Sequence, residues 1–338
     1  MPLFERIAVV GLGLLGGSLA LAARERGLVA SAVGATRSPE ARRLALESGA
    51  VEAVVDLEAV AEGADLVLLA TPVHAMPDML RRLARGLADG AIVTDVGSVK
   101  APLAETLPGL LPPGRLYIGS HPMAGSHERG MSHAVASLFE GRTCIVTDHA
   151  APEAEARVCA FWEGLGMQVV RRTPACHDEE VAWVSHLPHL LAYAFGRGFA
   201  DAPEGAASVV GPGFRDFTRI ARSDAELWGD ILTANAKALE GPLAVVSGAI
   251  TTLSELLQGG DADALEQWLQ QARDGLASTD PAATSHASHA SRTPAGAERN
   301  PSPTGGDQPV VSRMRADAAP DGPQRAAETN GDPNSTHE

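Results

Sequence analysis

The sequence is poor in cysteine, in aromatic residues and in positive charge, and it has no long apolar run. Of its 338 residues, three are cysteines and 4% are aromatic. Cys144, Cys159 and Cys176 have the spacing of neither a metal site nor a redox pair, which favours a reducing compartment. No apolar stretch approaches the roughly 20 residues of a membrane-spanning helix, and a strand pattern at 6–10 begins too early for a signal peptide. We therefore expect a cytoplasmic protein.

Acidic residues outnumber basic ones. Asp and Glu total 42 against 27 Lys and Arg, which gives a formal net charge of −15 at pH 7. A surface of this sign repels phosphate backbones and anionic lipids, so we expect neither nucleic acid nor a membrane as a partner. A small-molecule substrate remains, and an anionic one would need a local cluster of basic side chains.

A glycine-rich turn follows the strand pattern at 6–10. Residues 11–18 read Gly-Leu-Gly-Leu-Leu-Gly-Gly-Ser and lead into a helical pattern. In this context GxGxxG predicts a dinucleotide site, because its glycines allow a tight turn, approach of the backbone to a pyrophosphate and close helix–strand packing. The helix N-terminus then faces the phosphates. The predicted phosphate-binding residues are Gly11, Gly13, Leu14, Leu15 and Gly16.

The end of the second strand pattern bears on which dinucleotide binds. About 20 residues beyond the glycines, an NAD site carries an acidic residue for the ribose 2′-OH. Here Thr36 and Arg37 occupy that place, and no carboxylate appears before Glu40. A guanidinium suits a 2′-phosphate, whereas a solvated loop arginine is the alternative reading. We predict that NADP is preferred, with NAD as the alternative.

Strand and helix patterns alternate over the first half of the chain, and helical patterns alone follow from about residue 173. We expect the strand patterns to form one sheet; they lie at 6–10, 30–35, 65–70, 91–95, 116–120, 144–147 and 167–171. From Ser278 the composition turns to small and polar residues that cannot bury a core. The predicted fold class is α/β: a Rossmann-type dinucleotide-binding domain at 1–172, an all-α substrate-binding and dimerisation domain at 173–277, and a disordered low-complexity tail at 278–338.

Three polar residues follow the carboxyl ends of later strand patterns. Open α/β sheets bind ligands at this edge, so we expect Thr71, Ser98 and His121 to converge on one crevice with the glycine turn. Thr71 belongs to the predicted cofactor site. His121 precedes Pro122, which restricts its backbone, and we expect Ser98 to orient its imidazole. A tight turn with an ordinary histidine is the alternative.

The helical half contributes histidines and arginines. Ser185 and His189 are four residues apart and share a helix face. No third ligand is suitably spaced for the histidines of this segment, so no metal is expected. Arg215, Arg219 and Arg222, which we call the basic stripe, lie on one face of the next helical pattern. The stripe either binds a substrate carboxylate or forms a solvated face paired with nearby acids.

A narrow apolar seam runs along the following helical pattern. Its members recur at spacings of four and three, which predicts helix–helix packing, here across a homodimer. They are Leu239, Leu243, Val246, Ile250, Leu253 and Leu257. Pro242 lies inside the seam, so either a new helix starts near Gly241 or the helix kinks.

Five segments occur together in one order over about residues 5–275. They are the glycine turn at 11–18, Asp-Val-Gly-Ser-Val-Lys at 95–100, His-Pro-Met-Ala-Gly at 121–125, Ser-His-Leu-Pro-His at 185–189, and Gly-Phe-Arg-Asp-Phe-Thr-Arg-Ile-Ala at 213–221. In this combination the chain resembles the prephenate/arogenate dehydrogenase family of tyrosine biosynthesis. The combination is far more specific than any one segment.

The resemblance implies a reaction and roles for residues. Prephenate would be oxidised and decarboxylated to 4-hydroxyphenylpyruvate, with hydride transfer to a nicotinamide dinucleotide. His121 would take the proton of the ring 4-hydroxyl, and Ser98 would orient His121. The substrate-binding residues would be Arg219, Ser185, His189 and Arg215. Family members are similar in dimerising through the helical domain. Because 278–338 do not resemble a regulatory domain, any inhibition by tyrosine would act at the active site, with His177 as a candidate contact.

Other functions stay open at this point. Arogenate dehydrogenase would give tyrosine directly, since the two substrates share the ring carboxylate and differ in the side chain. A non-catalytic dinucleotide-sensing protein would bind cofactor without turnover, and it would not need Ser98, His121 and Arg219 together. A β-hydroxyacid dehydrogenase shares the plan but needs a catalytic lysine in the helical part, and Lys237 has no such setting.

Overall fold

The computed structural model describes residues 1–125, 128–147 and 151–277. The tail predicted at 278–338 lies outside these ranges. By its internal contacts, Met1–Leu265 is one compact unit, and a second unit begins at Glu266.

Six parallel strands form the main sheet. They are β1 Phe4–Val10, β2 Val29–Ala35, β3 Ala53–Val54, β4 Leu66–Leu69, β5 Ile92–Asp95 and β6 Leu116–Tyr117. Their order is β3-β2-β1-β4-β5-β6, which is the Rossmann order. β4 is apolar and buried along its whole length, and β1 is apolar and buried from Ile7 to Val10, because helices cover both faces of the sheet. The predicted fold class is confirmed, and the switch between β1 and β4 fixes where a ligand crevice forms.

Three further strands form a separate sheet. They are β7 Ser120–Pro122, β8 Thr143–Thr147 and β9 Gln168–Arg172, and β7 runs antiparallel to β8. The expectation that the last strands close the main sheet is therefore wrong. The strand predicted at 116–120 divides because the chain at Gly119 passes against β8. A Cβ there would lie 2.7 Å from the Thr147 hydroxyl, so only glycine fits. As a result, His121 lies in a strand rather than in a loop.

Eleven α-helices occur within the described ranges. Five accompany the sheets: α1 Leu14–Glu25, α2 Pro39–Glu47, α3 Met76–Leu83, α4 Ala101–Thr106 and α5 Pro152–Gly164. Six follow: α6 Pro174–Val181, α7 Leu187–Gly198, α8 Pro212–Arg219, α9 Ala225–Ala234, α10 Ala236–Gly259 and α11 Ala262–Leu276. None of the helices in the described ranges combines the length and apolar content that crossing a bilayer requires.

The segment between α6 and α7 departs from α-helical geometry. A π-helical turn, Ala182–His186, joins the two helices. Pro188 lies in the first turn of α7, directly after this π-helical turn. Because the backbone is helical through His186 and Leu187, the missing N–H of Pro188 removes one helical hydrogen bond.

The long helix α10 passes through Pro242 without a new start, since it begins at Ala236. Leu239 packs with Ala182 and Leu187 in a small core. The far end of the predicted seam is open, with Ile250 56% exposed. The seam therefore anchors α10 at one end and presents an apolar face at the other.

Candidate active site

The turn between β1 and α1 presents backbone N–H groups to open space. Gly11 has a φ of +98°, and a Cβ there would lie 2.4 Å from a backbone oxygen beyond β4. A Cβ on Gly16 would lie 2.0 Å from the Gly11 oxygen, whereas one on Gly13 would meet nothing within 4 Å. The first turn of α1, which holds Leu14 and Leu15, has no side-chain cap and no acidic residue. Its N–H groups are thus free to bind an anion.

Thr71 follows β4 beside this turn. Its Oγ1 is buried and has no hydrogen-bond partner within the described ranges. Buried hydroxyls are nearly always hydrogen-bonded, so this one fits a ligand that supplies the partner. The open approach at Gly13, the uncapped helix and the Thr71 hydroxyl together fit a nicotinamide dinucleotide.

Thr36 and Arg37 follow the end of β2, as predicted. Thr36 is half-buried, and its hydroxyl accepts a hydrogen bond from the Ser38 N–H at 3.3 Å. The Ser38 hydroxyl caps α2 by accepting from Ala41 N at 3.1 Å. Arg37 is exposed. The guanidinium is therefore the charged group that this turn offers to a ribose or a ribose phosphate.

His121 heads a chain of three buried side chains. Its Nδ1 is 2.8 Å from Nε2 of His177, and Nδ1 of His177 is 2.7 Å from Oδ1 of Asp178. Burial lowers the pKa of His121 well below its usual 6.5, and the charges of His177, Lys100 and His186 lower it further. The imidazole is therefore neutral near pH 7 and able to accept a proton.

The predicted contact between Ser98 and His121 is not formed. Ser98 is half-buried, and its hydroxyl makes no hydrogen bond within the described ranges. His121 lies in β7, where the His177 ring occupies Nδ1 in place of Ser98. The expectation that His177 contacts a ligand is also wrong, because its ring is fully buried and both nitrogens are hydrogen-bonded.

A buried ion pair that the sequence reasoning missed lies beneath His121. The Lys100 ammonium is fully buried and pairs with Oδ1 of Asp95. Asp95 Oδ2 accepts from the Tyr117 hydroxyl at 2.7 Å and from the N–H of Ser120 at 3.3 Å. Burial, and then the Asp95 charge, raises the pKa of Tyr117 well above its usual value. Asp95 therefore holds Ser120, the residue that precedes His121. The feature of the sequence that could have indicated this ion pair is a lysine shortly after an apolar strand pattern.

Two histidines border the site from the helical side. The His189 ring stacks on Trp228 with centroids 3.5 Å apart, and its Nδ1 is 2.9 Å from the carbonyl oxygen of Ser185. His186 is buried, with Nδ1 2.9 Å from Nδ2 of Asn235, and burial lowers its pKa to about 4. Burial also lowers the pKa of His189. Both rings are neutral near pH 7. Across the described residues, no group of three His, Cys, Asp or Glu is placed to hold a metal.

The basic stripe is not paired with acids. None of its arginines forms an ion pair with a carboxylate of the described residues, and Asp224 pairs with Arg129 instead. Burial lowers the pKa of His189, the hydrogen bond to Ser185 raises it, and the charge of Arg219 lowers it by a smaller amount. Arg219 is exposed at the end of α8. Arg215 is exposed one turn earlier on α8. An unpaired guanidinium at this place can bind a carboxylate.

Comparisons with known proteins identify the family. Residues 19–171 match the family model described as prephenate dehydrogenase, nucleotide-binding domain, and 173–271 match its dimerization domain. The cyclohexadienyl dehydrogenase of Zymomonas mobilis is 34% identical over 264 residues, which cover 76% of this chain and 88% of that protein. The chain belongs to the prephenate dehydrogenase family.

The likeness to solved structures of the family extends over most of the chain. The Aquifex aeolicus prephenate dehydrogenase in complex with hydroxyphenyl propionate and NAD⁺ is 28% identical, with a TM-score of 0.75 over 82% of this chain and 98% of that one. The Synechocystis arogenate dehydrogenase is 32% identical, with a TM-score of 0.70 over 82% of this chain and all of that one. This member of the prephenate dehydrogenase family is thus an oxidoreductase that uses a nicotinamide dinucleotide, and the non-catalytic sensor is not supported.

The two exchanges Gly13→Ala and Gly16→Ala separate binding from stability. The Cβ of Gly13→Ala has room in the protein but enters the space where a pyrophosphate would lie. We expect an unchanged melting temperature and a dinucleotide Kd raised by about tenfold or more, which is a loss of about 1.4 kcal/mol. The Cβ of Gly16→Ala meets the Gly11 oxygen, so melting temperature should fall. Calorimetry and dinucleotide titration measure both, and unchanged affinity in Gly13→Ala would exclude this turn as the phosphate site.

Proposed function

We propose that this protein is a prephenate dehydrogenase, which converts prephenate to 4-hydroxyphenylpyruvate and CO₂ in tyrosine biosynthesis. The observation that carries the proposal is a buried, neutral His121 in β7, whose neighbour Ser120 donates a hydrogen bond to the Asp95 carbonyl oxygen at the carboxyl end of β5. The names of the relatives support the substrate class. Arogenate is the alternative substrate, favoured by the likeness to the Synechocystis arogenate dehydrogenase.

The proposed reaction begins with His121. Its imidazole accepts the proton of the ring 4-hydroxyl as the hydrogen on the same carbon leaves with its electron pair. The bound dinucleotide supplies the hydride acceptor. The ring carboxylate then departs as CO₂, and the electrons of its carbon–carbon bond complete the aromatic ring. The phenolate oxygen takes the proton back from His121, which returns to its neutral form.

Substrate binding is proposed for the helical side of the site. Arg219 would bind a substrate carboxylate, because a guanidinium forms paired hydrogen bonds with carboxylate oxygens. His189, stacked on Trp228, and Ser185 and Arg215 would complete this side. Ser98, with a hydroxyl that has no partner in the described chain, is proposed to contact the bound ligand. We propose Gly11, Gly13, Leu14, Leu15, Gly16, Thr36, Arg37 and Thr71 as the cofactor-binding residues.

We propose a homodimer that buries the open end of the apolar seam. Ile250 and Leu257 are 56% and 61% exposed on α10, and apolar side chains at this spacing suit packing against a second helix. The proposed domain boundary falls between β9, which ends at Arg172, and α6, which begins at Pro174. A cytoplasmic location is proposed because all three cysteines are unpaired.

Activity with each substrate and each cofactor tests the proposed function. We expect NAD(P)H formation at 340 nm with prephenate, faster than with arogenate. His121→Asn should retain dinucleotide affinity and lower kcat by roughly 10²- to 10⁴-fold, the usual contribution of a positioned general base. A lack of turnover on both substrates by the wild-type protein would refute the function, and normal turnover by His121→Asn would refute the assignment of the base.

Arg219→Ala tests the carboxylate contact. Loss of a charge-assisted hydrogen bond removes about 1.5–3 kcal/mol, so the KM for prephenate should rise roughly 10- to 150-fold. Arg222→Ala, from the same stripe, is the matched control and should change KM much less. Equal effects of the two variants in steady-state kinetics would mean that the stripe acts only through its general charge.

The cofactor prediction is that kcat/KM is higher with NADP than with NAD. Thr36→Asp combined with Arg37→Ala should move the preference toward NAD, because the new carboxylate repels a 2′-phosphate and accepts the ribose hydroxyl. Kinetics with both cofactors provide the measurement. A wild-type protein that uses NAD as well as or better than NADP would show that Thr36 and Arg37 do not select the cofactor.

A further inference from the structure

The hydrogen bonds around Asp178 determine which atom of His177 carries a proton. Asp178 Oδ1 accepts from the N–H of Lys100 at 2.7 Å, and Oδ2 accepts from the N–H of Ala101 at 2.8 Å. The carboxylate therefore acts as an acceptor at the start of α4. His177 Nδ1, 2.7 Å from Oδ1, must then be the donor in their contact. Because burial lowers the pKa of His177, the ring is neutral, and Nε2 is left with a lone pair.

The same donor and acceptor order extends to the hydrogen bond between His177 and His121. Its Nδ1 is 2.8 Å from the His177 Nε2 lone pair, so Nδ1 of His121 must carry the proton. A neutral imidazole has one N–H, and Nε2 of His121 is thus the basic nitrogen. His121 itself is 7% exposed, whereas His177 is fully buried. Without His177, either tautomer of His121 would be available.

We propose that His177 and Asp178 are positioning residues that hold His121 in the tautomer with Nδ1 protonated, so that Nε2 takes the substrate proton. The inference rests on the proposed function and deepens it. During the reaction, Nε2 gains the proton of the substrate hydroxyl, and Nδ1–H continues to donate to His177. No proton moves to His177 or to Asp178. The hydrogen bond strengthens as His121 becomes positive, which stabilises the imidazolium when it forms.

Other charged and titratable groups face these rings from several elements. They are Lys100 before α4, Asp95 at the end of β5, Cys144 in β8, His186 in the π-helical turn and Asp178 in α6. Lys100 and Asp95 neutralise each other as an ion pair, and burial keeps the pKa of the Cys144 thiol high. His177 is the neighbour that is hydrogen-bonded to the His121 ring.

Two exchanges at His177 test its role. His177→Phe keeps a buried ring but removes the acceptor. We expect kcat to fall roughly 10- to 150-fold, the worth of one charge-assisted hydrogen bond, with KM and dinucleotide Kd nearly unchanged. The acidic limb of the kcat–pH profile should move to lower pH, because the imidazolium of His121 loses its acceptor and its pKa falls. His177→Gln offers a side-chain oxygen in place of Nε2 and should restore much of kcat. His133→Phe, at an exposed histidine, is the control and should match the wild-type protein.

Wild-type kcat and an unmoved acidic limb in His177→Phe would overturn the proposal. Equal losses in His177→Phe and His177→Gln with an unmoved limb would overturn it as well, since they would indicate packing alone.

The tautomer can also be measured without a variant at His177. In the wild-type protein saturated with NADP and labelled with ¹⁵N-histidine, the His121 signals, assigned by their loss in His121→Asn, should show Nδ1 protonated and Nε2 unprotonated. A neutral His121 with its proton on Nε2 would overturn the inference, whether or not His177→Phe folds. Failure of the proposed function is distinct: the wild-type protein would then turn over neither prephenate nor arogenate. Normal turnover that needs His121 but not His177 would remove this inference alone.

Discussion

The carboxylate of Asp178 joins parts of the chain that are far apart in sequence, and the site depends on it. The carboxylate accepts hydrogen bonds from the backbone N–H groups of Lys100 and Ala101 and from the imidazole N–H of His177. The backbone carbonyl of Asp178 accepts from the Asn235 amide at 2.9 Å. A buried carboxylate is stable only when several donors compensate for lost water. Here those donors come from the sheet side, at the start of α4, and from the helical side, at α6, while Asn235 between α9 and α10 donates to the Asp178 backbone carbonyl. The hydrogen bonds that satisfy the carboxylate therefore also connect His121, through His177, to α6 and to the start of α4.

Burial also limits which side chains near the site carry a charge. The histidines around the site are neutral because burial lowers the pKa values of His121, His177 and His186. Lys100 forms an ion pair with Asp95 inside the core. The arginines of the basic stripe are cations without a carboxylate partner in the described chain, and we propose that a substrate carboxylate binds Arg219. The net charge of −15 belongs to the whole chain, and a negative net charge disfavours binding of large anions such as nucleic acids.

The main sheet could be predicted from the sequence, and the second sheet could not, for a physical reason. Strands buried on both faces leave long apolar runs, so β1, β4 and β5 are visible in the sequence. The split at Gly119 depends on its contact with Thr147, which is a tertiary contact. His121 was found because a distinctive segment surrounds it. The role of His177 was missed, since its partners are 56 residues away at His121 and adjacent at Asp178, and the local sequence reads as an ordinary helix. The motif around Ser98 predicts a contact with His121, but in the fold the His121 ring is hydrogen-bonded to His177 instead.

The turn after β2 shows why the missing acid carries more weight in cofactor choice than the arginine beside it. Thr36 and Ser38 already use their hydroxyl oxygens locally, one toward the Ser38 N–H and one as the cap of α2. Arg37 is exposed, and an exposed cation contributes modestly because water screens it. A carboxylate at this place would instead repel a 2′-phosphate and lose its own hydrogen bond to the ribose, so it discriminates by two effects at once. Because the turn lacks that carboxylate, we predict that it accepts the phosphorylated cofactor, and a modest attraction from Arg37 would then favour NADP.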